Sequence, residues 1–178
     1  MSRVFVIIVR KLFFWCSVVG ISVISAPALA LSHEEWVMAF VRFVEWPPTS
    51  MGPDSTLIVC QPQGAPALDL QGRQVRGLTL QVLRVSKPRD MEACHVFSSL
   101  GQRESEWAAW LSVAKSLPIL TVGQGPRYCE VGGAICLLTD ALTGVEKYQL
   151  NLDTLSRSGF KVRSQLLRQP RARTANNG

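Results

Sequence analysis

Cys60, Cys94, Cys129 and Cys136 are the residues best suited to chemistry in this chain; a fifth cysteine, Cys16, lies in an apolar N-terminal stretch. Four thiols can form two disulfides, hold a metal ion or supply a nucleophile. A metal centre is poorly served: there is no C-x-x-C spacing, and only His33 and His95 could add nitrogen ligands. A Cys–His pair is no better. His95 follows Cys94 directly and opens a predicted strand, where successive side chains point to opposite faces, so the thiol and the ring diverge. No G-x-S-x-G, H-E-x-x-H or phosphate-cradling glycine loop is present, and Gly123-Gln124-Gly125-Pro126 reads as a turn. The residues therefore offer no catalytic constellation, cofactor site or metal site. Disulfides remain. Of three pairings, joining the near neighbours Cys129 and Cys136 and leaving Cys60 for Cys94 is geometrically easiest. Loop-closure entropy assigns about 4 kcal/mol to the larger loop and about 2.5 kcal/mol to the smaller.

Two further groups suit recognition rather than catalysis. Arg42, Glu45 and Trp46 gather at the predicted end of a helix, where Trp46 can be a core residue or a ligand shelf. Near the C-terminus Lys161 and Arg163 alternate with Phe160 and Val162. If that segment is extended, both cations share one face, where Glu146 or an anionic ligand could meet them; the plainer alternative is a solvated basic edge.

Whether disulfides persist depends on the compartment. Arg3, Arg10 and Lys11 precede an uncharged run from Leu12 to Ile24, and Ser25-Ala26-Pro27-Ala28-Leu29-Ala30 ends in an Ala-x-Ala site. This is the order of a secretion signal, expected to be cleaved after Ala30, and the apolar run is short of the roughly 20 residues that span a bilayer. An exported chain with an even set of thiols fits a disulfide-stapled periplasmic domain. Without those three cations the formal net charge falls from +6 to +3. Much of the remaining excess sits in Arg168, Arg171 and Arg173, so residues 169–178 read as a flexible basic tail and nucleic acid is not an expected partner. Residues 31–168 have a single-domain length with no internal repeat.

The elements that must position these residues follow from local pattern. Ser32-His33-Glu34-Glu35 has capping-box form, and Trp36, Phe40, Phe43 and Val44 recur at helical spacing, predicting a helix that runs to Trp46 and is stopped by Pro47. Thr56 to Cys60 predicts a buried strand, Ala65 to Gln71 a brief helix, Leu78 to Val85 a half-buried strand and Pro88 to Glu92 a helical turn. His95 to Ser98 and Ile119 to Val122 read as strands around a helix over Gln102 to Ser116. Gly123 to Gly133 reads as a loop, Ala134–Thr139 and Glu146–Leu152 as a strand pair, and Thr154–Ser158 and Ser164–Arg168 as short helices. Alternating strands and helices predict one three-layered α/β/α domain with a mixed sheet.

Phe43-Val44-Glu45-Trp46-Pro47, then Val75-Arg76-Gly77-Leu78-Thr79-Leu80, Cys94-His95-Val96-Phe97, Pro118-Ile119-Leu120-Thr121-Val122, Gly132-Gly133, Leu150-Asn151-Leu152 and Ser164-Gln165-Leu166-Leu167 occur in an order that resembles the YfiR family of periplasmic proteins, from about Glu35 to Arg168. The resemblance implies a three-layered α/β regulator, not an enzyme. It implies a partner in the periplasmic region of an inner-membrane diguanylate cyclase, held inactive so that cyclic di-GMP and biofilm formation fall. A sensor kinase as partner, or a small ligand, stands as the alternative. The resemblance further implies an outer-membrane-associated protein that sequesters the regulator, and disulfides Cys60–Cys94 and Cys129–Cys136. A homodimer is compatible with all of these. The chain departs from the family at Trp36-Val37-Met38-Ala39-Phe40, which lacks a Tyr-Asn pair, at Cys136-Leu137-Leu138, and at Gln169-Pro170. Those departures bear on the partner surface.

Overall fold

A computed structural model describes residues 31–47 and 55–167; the expected secretion signal and the basic tail lie outside the described residues. Ser32 caps helix α1 (His33–Phe43) as expected: its hydroxyl accepts from the Glu35 N–H, and the Glu35 carboxylate accepts from the Ser32 N–H at 2.7 Å. The helix ends at Phe43, three residues earlier than the predicted stop. Val44–Glu45 forms a short strand, β1, paired antiparallel with β9 (Lys161–Val162). A partner far along the chain thus captures the backbone before Pro47 can act.

The main sheet has seven strands: β2 (Thr56–Pro62), β3 (Gln74–Val75), β4 (Leu78–Val85), β5 (Val96–Ser98), β6 (Leu120–Gln124), β7 (Ile135–Thr139) and β8 (Glu146–Leu150). Their spatial order is β3-β4-β2-β5-β6-β7-β8. The five central strands are parallel and the two outer pairs, β3–β4 and β7–β8, are antiparallel. Counting only the parallel strands, the first lies inside the second and the third follows, a doubly wound order. Helices α2 (Glu104–Ala114), α3 (Pro126–Glu130), α4 (Leu152–Arg157) and α5 (Ser164–Leu167), with a 3-10 turn at Pro88–Ala93, complete the layers.

The period-2 alternation of the strands sorts the core into two faces. Leu57, Val59, Val96, Leu120, Val122, Ile135 and Leu137 point to one side and pack with Trp36, Val37 and Phe40 of α1 and Leu155 of α4. Cys60, Phe97 and Cys136 point to the other and pack under α2. Trp110 of α2 joins Cys60, Cys94, Met91 and Phe97, stacking on Phe97 at 5.4 Å, while Trp107 joins Cys129, Cys136 and Tyr128. The result is the predicted α/β/α sandwich with a mixed sheet, and both disulfides, Cys60–Cys94 and Cys129–Cys136, lie on the α2 face.

Two local expectations fail for nonlocal reasons. Ala65–Gln71 is not a helix. The Gln61 side chain, fully buried, donates to the Pro66 carbonyl and accepts from the Leu68 N–H, holding this crossover extended, with Leu68 and Leu70 buried. The Gln71 side chain then accepts from the Val82 N–H at 2.8 Å and covers the free edge of β4. The stretch Gly123–Gly133 is not all loop, since it contains α3, begun by Pro126 in the first turn. Tyr128 of α3 is fully buried, and its ring lies where a Cβ on Gly123 or Gly133 would have to go. Burial pushes its phenol well above the usual tyrosine range.

A candidate partner-binding surface at the end of α1

The recognition residues expected at the helix end are rearranged by the β1–β9 pairing. Because α1 stops at Phe43, Arg42 closes the helix while Glu45 and Trp46 lie beyond it on extended chain. Glu45 sits opposite Lys161 in the pairing, and the Arg163 N–H donates to the Phe43 carbonyl at 3.0 Å. Arg163 Nε then meets Glu45 Oε1 at 3.4 Å, a half-exposed ion pair of small energetic value. The anionic partner of this basic segment is therefore Glu45. Glu146 is elsewhere: its carboxylate accepts from Trp36 Nε1 at 2.6 Å, near the start of α1. Trp36, Phe40 and Tyr148 form an aromatic trio with centroid separations of 5.6 to 5.8 Å, and the Tyr148 hydroxyl donates to the Leu166 carbonyl. Glu146 anchors the helix to the edge strand, far from the role of meeting Lys161 and Arg163.

Trp46 is a half-buried wall. Its ring meets Phe160 edge-on at 5.3 Å, and Pro47 packs against Gly159. Its Nε1 is buried with no acceptor among the described residues. An unpaired buried donor costs about 1–3 kcal/mol, which an acceptor brought from outside would recover.

Two cations that sequence reading missed complete the surface. Arg76 and Gly77, at φ 53° and 79°, form the two-residue turn between β3 and β4. Two positive φ angles in succession suit the right-handed twist of a hairpin. The turn carries Arg76 to the end of α1, where its guanidinium donates to the Arg42 carbonyl at 3.3 Å, satisfying an end-of-helix acceptor. Arg73, just before β3, faces α1 across a groove of about 190 Å³ lined by Glu35, Met38, Ala39, Arg42, Phe43 and Arg73. The floor is apolar. Glu35 is engaged in the capping box, and among the described residues no carboxylate pairs with Arg42, Arg73, Arg76 or Lys161. The signal for Arg76 was in the sequence: an x-Gly pair between two strand-like runs.

The histidine beside Cys94 has a structural role. His95 Nδ1 accepts from the Ile58 N–H at 3.0 Å and the His95 N–H donates to the Ile58 carbonyl at 2.9 Å, which aligns the start of β5 with β2. Cys94 is committed to its disulfide. Among the described residues no group of three or more His, Cys, Asp or Glu side chains could hold a metal ion, and no helix is long and apolar enough to cross a membrane.

No curated protein matches the sequence. The crystal structure of a conserved domain protein from Vibrio cholerae O1 biovar eltor superposes with a TM-score of 0.51 at 14% identity, over 78% of this chain and 59% of that one. At that identity the likeness speaks for the fold, and the chain spans about three-fifths of the Vibrio protein's length. The ABC domain of Streptococcus pneumonia solved in complex with L-Trp reaches a TM-score of 0.42 at 12% identity, over 62% of this chain and 52% of that one, too low to carry an argument. The family comparison is decisive: residues 32–170 match the YfiR/HmsC-like family, whose members act in general as periplasmic regulators of diguanylate cyclases, and the chain belongs to that family.

Proposed function

We propose that this chain is a periplasmic, non-enzymatic regulator that binds the periplasmic region of a membrane-bound diguanylate cyclase and holds it inactive, lowering cyclic di-GMP and biofilm formation. The observation that carries the reading is the family match across residues 32–170. Two disulfides support export, because such bonds persist outside the cytoplasm. The groove at the end of α1 supports a docking role. Its apolar floor and the guanidiniums of Arg42, Arg73 and Arg76 complement a segment carrying both carboxylates and apolar side chains. Repression is a population shift. To move the cyclase from almost wholly active to almost wholly inactive, the regulator must prefer the inactive form by about 10⁴-fold.

Deleting the gene should raise cellular cyclic di-GMP, and re-expression should restore the low level. Re-expression of Arg42→Glu with Arg73→Glu should not, while the purified variant keeps its melting temperature because both side chains are exposed. Unchanged cyclic di-GMP on deletion, with the cyclase intact, refutes the cyclase reading. A sequestering outer-membrane-associated protein would compete for the same groove, and the same variant should escape it.

The buried Trp46 Nε1, which has no acceptor among the described residues, favours one alternative, a small ligand bearing a hydrogen-bond acceptor between Trp46 and Lys161/Arg163. Such a ligand should raise the melting temperature in the native protein and fail to do so in Trp46→Ala.

A further inference from the structure

Away from α1, a cleft of about 250 Å³ opens where the end of α2 meets the end of α4, lined by Lys115, Ser116, Leu117, Pro118, Arg157 and Ser158. An adjoining recess of about 50 Å³ shares Lys115, Arg157 and Ser158 and reaches Thr154 and Gly132 over a floor of Ala114, Ile119 and Thr121. No acidic side chain lines either space. We propose that this cleft is a binding site for a phosphate group, free or as a monoester, gripped between Lys115 and Arg157 and hydrogen-bonded by the Ser158 hydroxyl, while the Thr154 hydroxyl donates to the Gly132 carbonyl at 3.3 Å.

The exposed Lys115 lays its stem over Gly132. Gly132 has φ +106°, and a Cβ there would meet Lys115 Cε at 2.8 Å, so the glycine provides both the turn and the bed on which the lysine stem lies. The ammonium is thereby directed across the Gly132 turn, and among the described residues it has no carboxylate partner. Arg157 comes from a different helix. Asp153 holds it from one side at 2.8 Å, an exposed i,i+4 pair that leaves further guanidinium N–H groups to donate. Two cations from separate elements line one concavity; Asp153 offsets Arg157 in part, and no carboxylate offsets Lys115. The ends of α2 and α4 explain a single cation each through their dipoles, but those carry about half a charge and fade within a turn. They do not account for Lys115 standing without a carboxylate partner beside a guanidinium that Asp153 engages from one side only. A phosphate presents oxygens on all sides and accepts from a guanidinium and an ammonium together. The site is separate from the α1 groove and stands whether or not the regulator reading does.

Thermal unfolding and titration calorimetry of the purified chain test it, with inorganic phosphate and glycerol phosphate against chloride at constant ionic strength. The expected result is a saturable rise in melting temperature, about 3–5 °C at tenfold excess over the dissociation constant. Lys115→Ala and Arg157→Ala should each weaken binding about tenfold or more while the exposed control Lys147→Ala leaves it unchanged. Asp153→Asn, which removes the competing carboxylate, should tighten it several-fold, an effect a merely structural role for Arg157 would not produce. Absence of a saturable shift with either probe, or retention of it in the Lys115→Ala/Arg157→Ala double variant, overturns the proposal.

Discussion

Removing the two disulfides one at a time should separate loop closure from packing. Cys60 and Cys94 are 34 residues apart and Cys129 and Cys136 are 7 apart. Both bridges are buried, in neighbouring clusters under α2, so replacing each pair by alanine removes similar sulfur contacts, and the packing losses nearly cancel in the comparison. What differs is the freedom regained by the unfolded chain. Loop-closure entropy gives about 4 kcal/mol for the long loop and about 2.5 kcal/mol for the short one, a difference of about 1.5 kcal/mol. For a domain of this size that corresponds to roughly 3–6 °C in melting temperature. Cys60→Ala/Cys94→Ala should therefore unfold that much below Cys129→Ala/Cys136→Ala, by calorimetry and by urea titration in the same buffer. The slope of the urea transition should also rise in the long-loop variant, because its unfolded state expands further. If the short-loop variant is the less stable, the reasoning is refuted, and native packing around Tyr128 outweighs chain entropy.

Other substitutions probe single contacts. Gly123→Ala should destabilise by about 3 kcal/mol, because the added methyl meets the buried Tyr128 ring, and Tyr128→Leu should remove much of that penalty in a double-mutant cycle read by urea unfolding. Glu146→Ala should cost about 2 kcal/mol through loss of a charge-assisted bond from Trp36 and should red-shift tryptophan fluorescence as α1 loosens. The Thr143 N–H, then the Lys147 ammonium, the Thr143 hydroxyl and the Leu142 N–H depress the Asp140 carboxyl to about 2. A depressed pKa contributes stability above the unfolded value near 4 and loses it as pH falls towards 2; Asp140→Asn should flatten the stability profile in that window, and an unchanged profile would show that the turn is not the acid-sensitive element.

What the sequence discloses and what it hides divide along contact distance. Strand β4 and helix α2 are written in local periodicity, and the β7–β8 pair announces itself through a turn-forming stretch at Asp140–Gly144. The disulfide pairing is legible from spacing alone. The end of α1 is not, because Val162 and Lys161 determine it from more than a hundred residues away, overriding the more visible signal at Pro47. The crossover before β3 looked helical because Gln61, outside the segment, supplies the bonds that keep it extended. Helix α3 was missed through reading Gly125-Pro126 as a turn, although proline in the first turn also starts helices. At the candidate surface Arg42, Glu45 and Trp46 were found by proximity in sequence, whereas Arg73 enters through tertiary packing. Glu146, one possible counterpart of Lys161 and Arg163 in sequence, instead accepts from an indole N–H 110 residues earlier.

The placement of the staples has a consequence for regulation. Both disulfides cross-link the α2 face, where Trp107 and Trp110 each cover one bridge. The α1 face has none. Its helix is held by apolar packing, by the Trp36–Glu146 bond and through Tyr148 by the Leu166 carbonyl, and its outgoing chain by a two-residue pairing with β9. Such contacts open locally at a lower free energy than a covalently closed core. A partner that docks in the groove beside Arg42 engages the layer that can adjust, while the opposite layer keeps the sheet intact. An acidic segment laid along Arg42, Arg73 and Arg76 would neutralise the guanidinium that already satisfies the α1 carbonyl end, tightening the junction between helix and hairpin. Binding would then stiffen the region around α1 that carries Trp46, so protection of the Phe43–Trp46 amides from hydrogen exchange should rise on partner addition; protection confined to the α2 face would place the partner elsewhere.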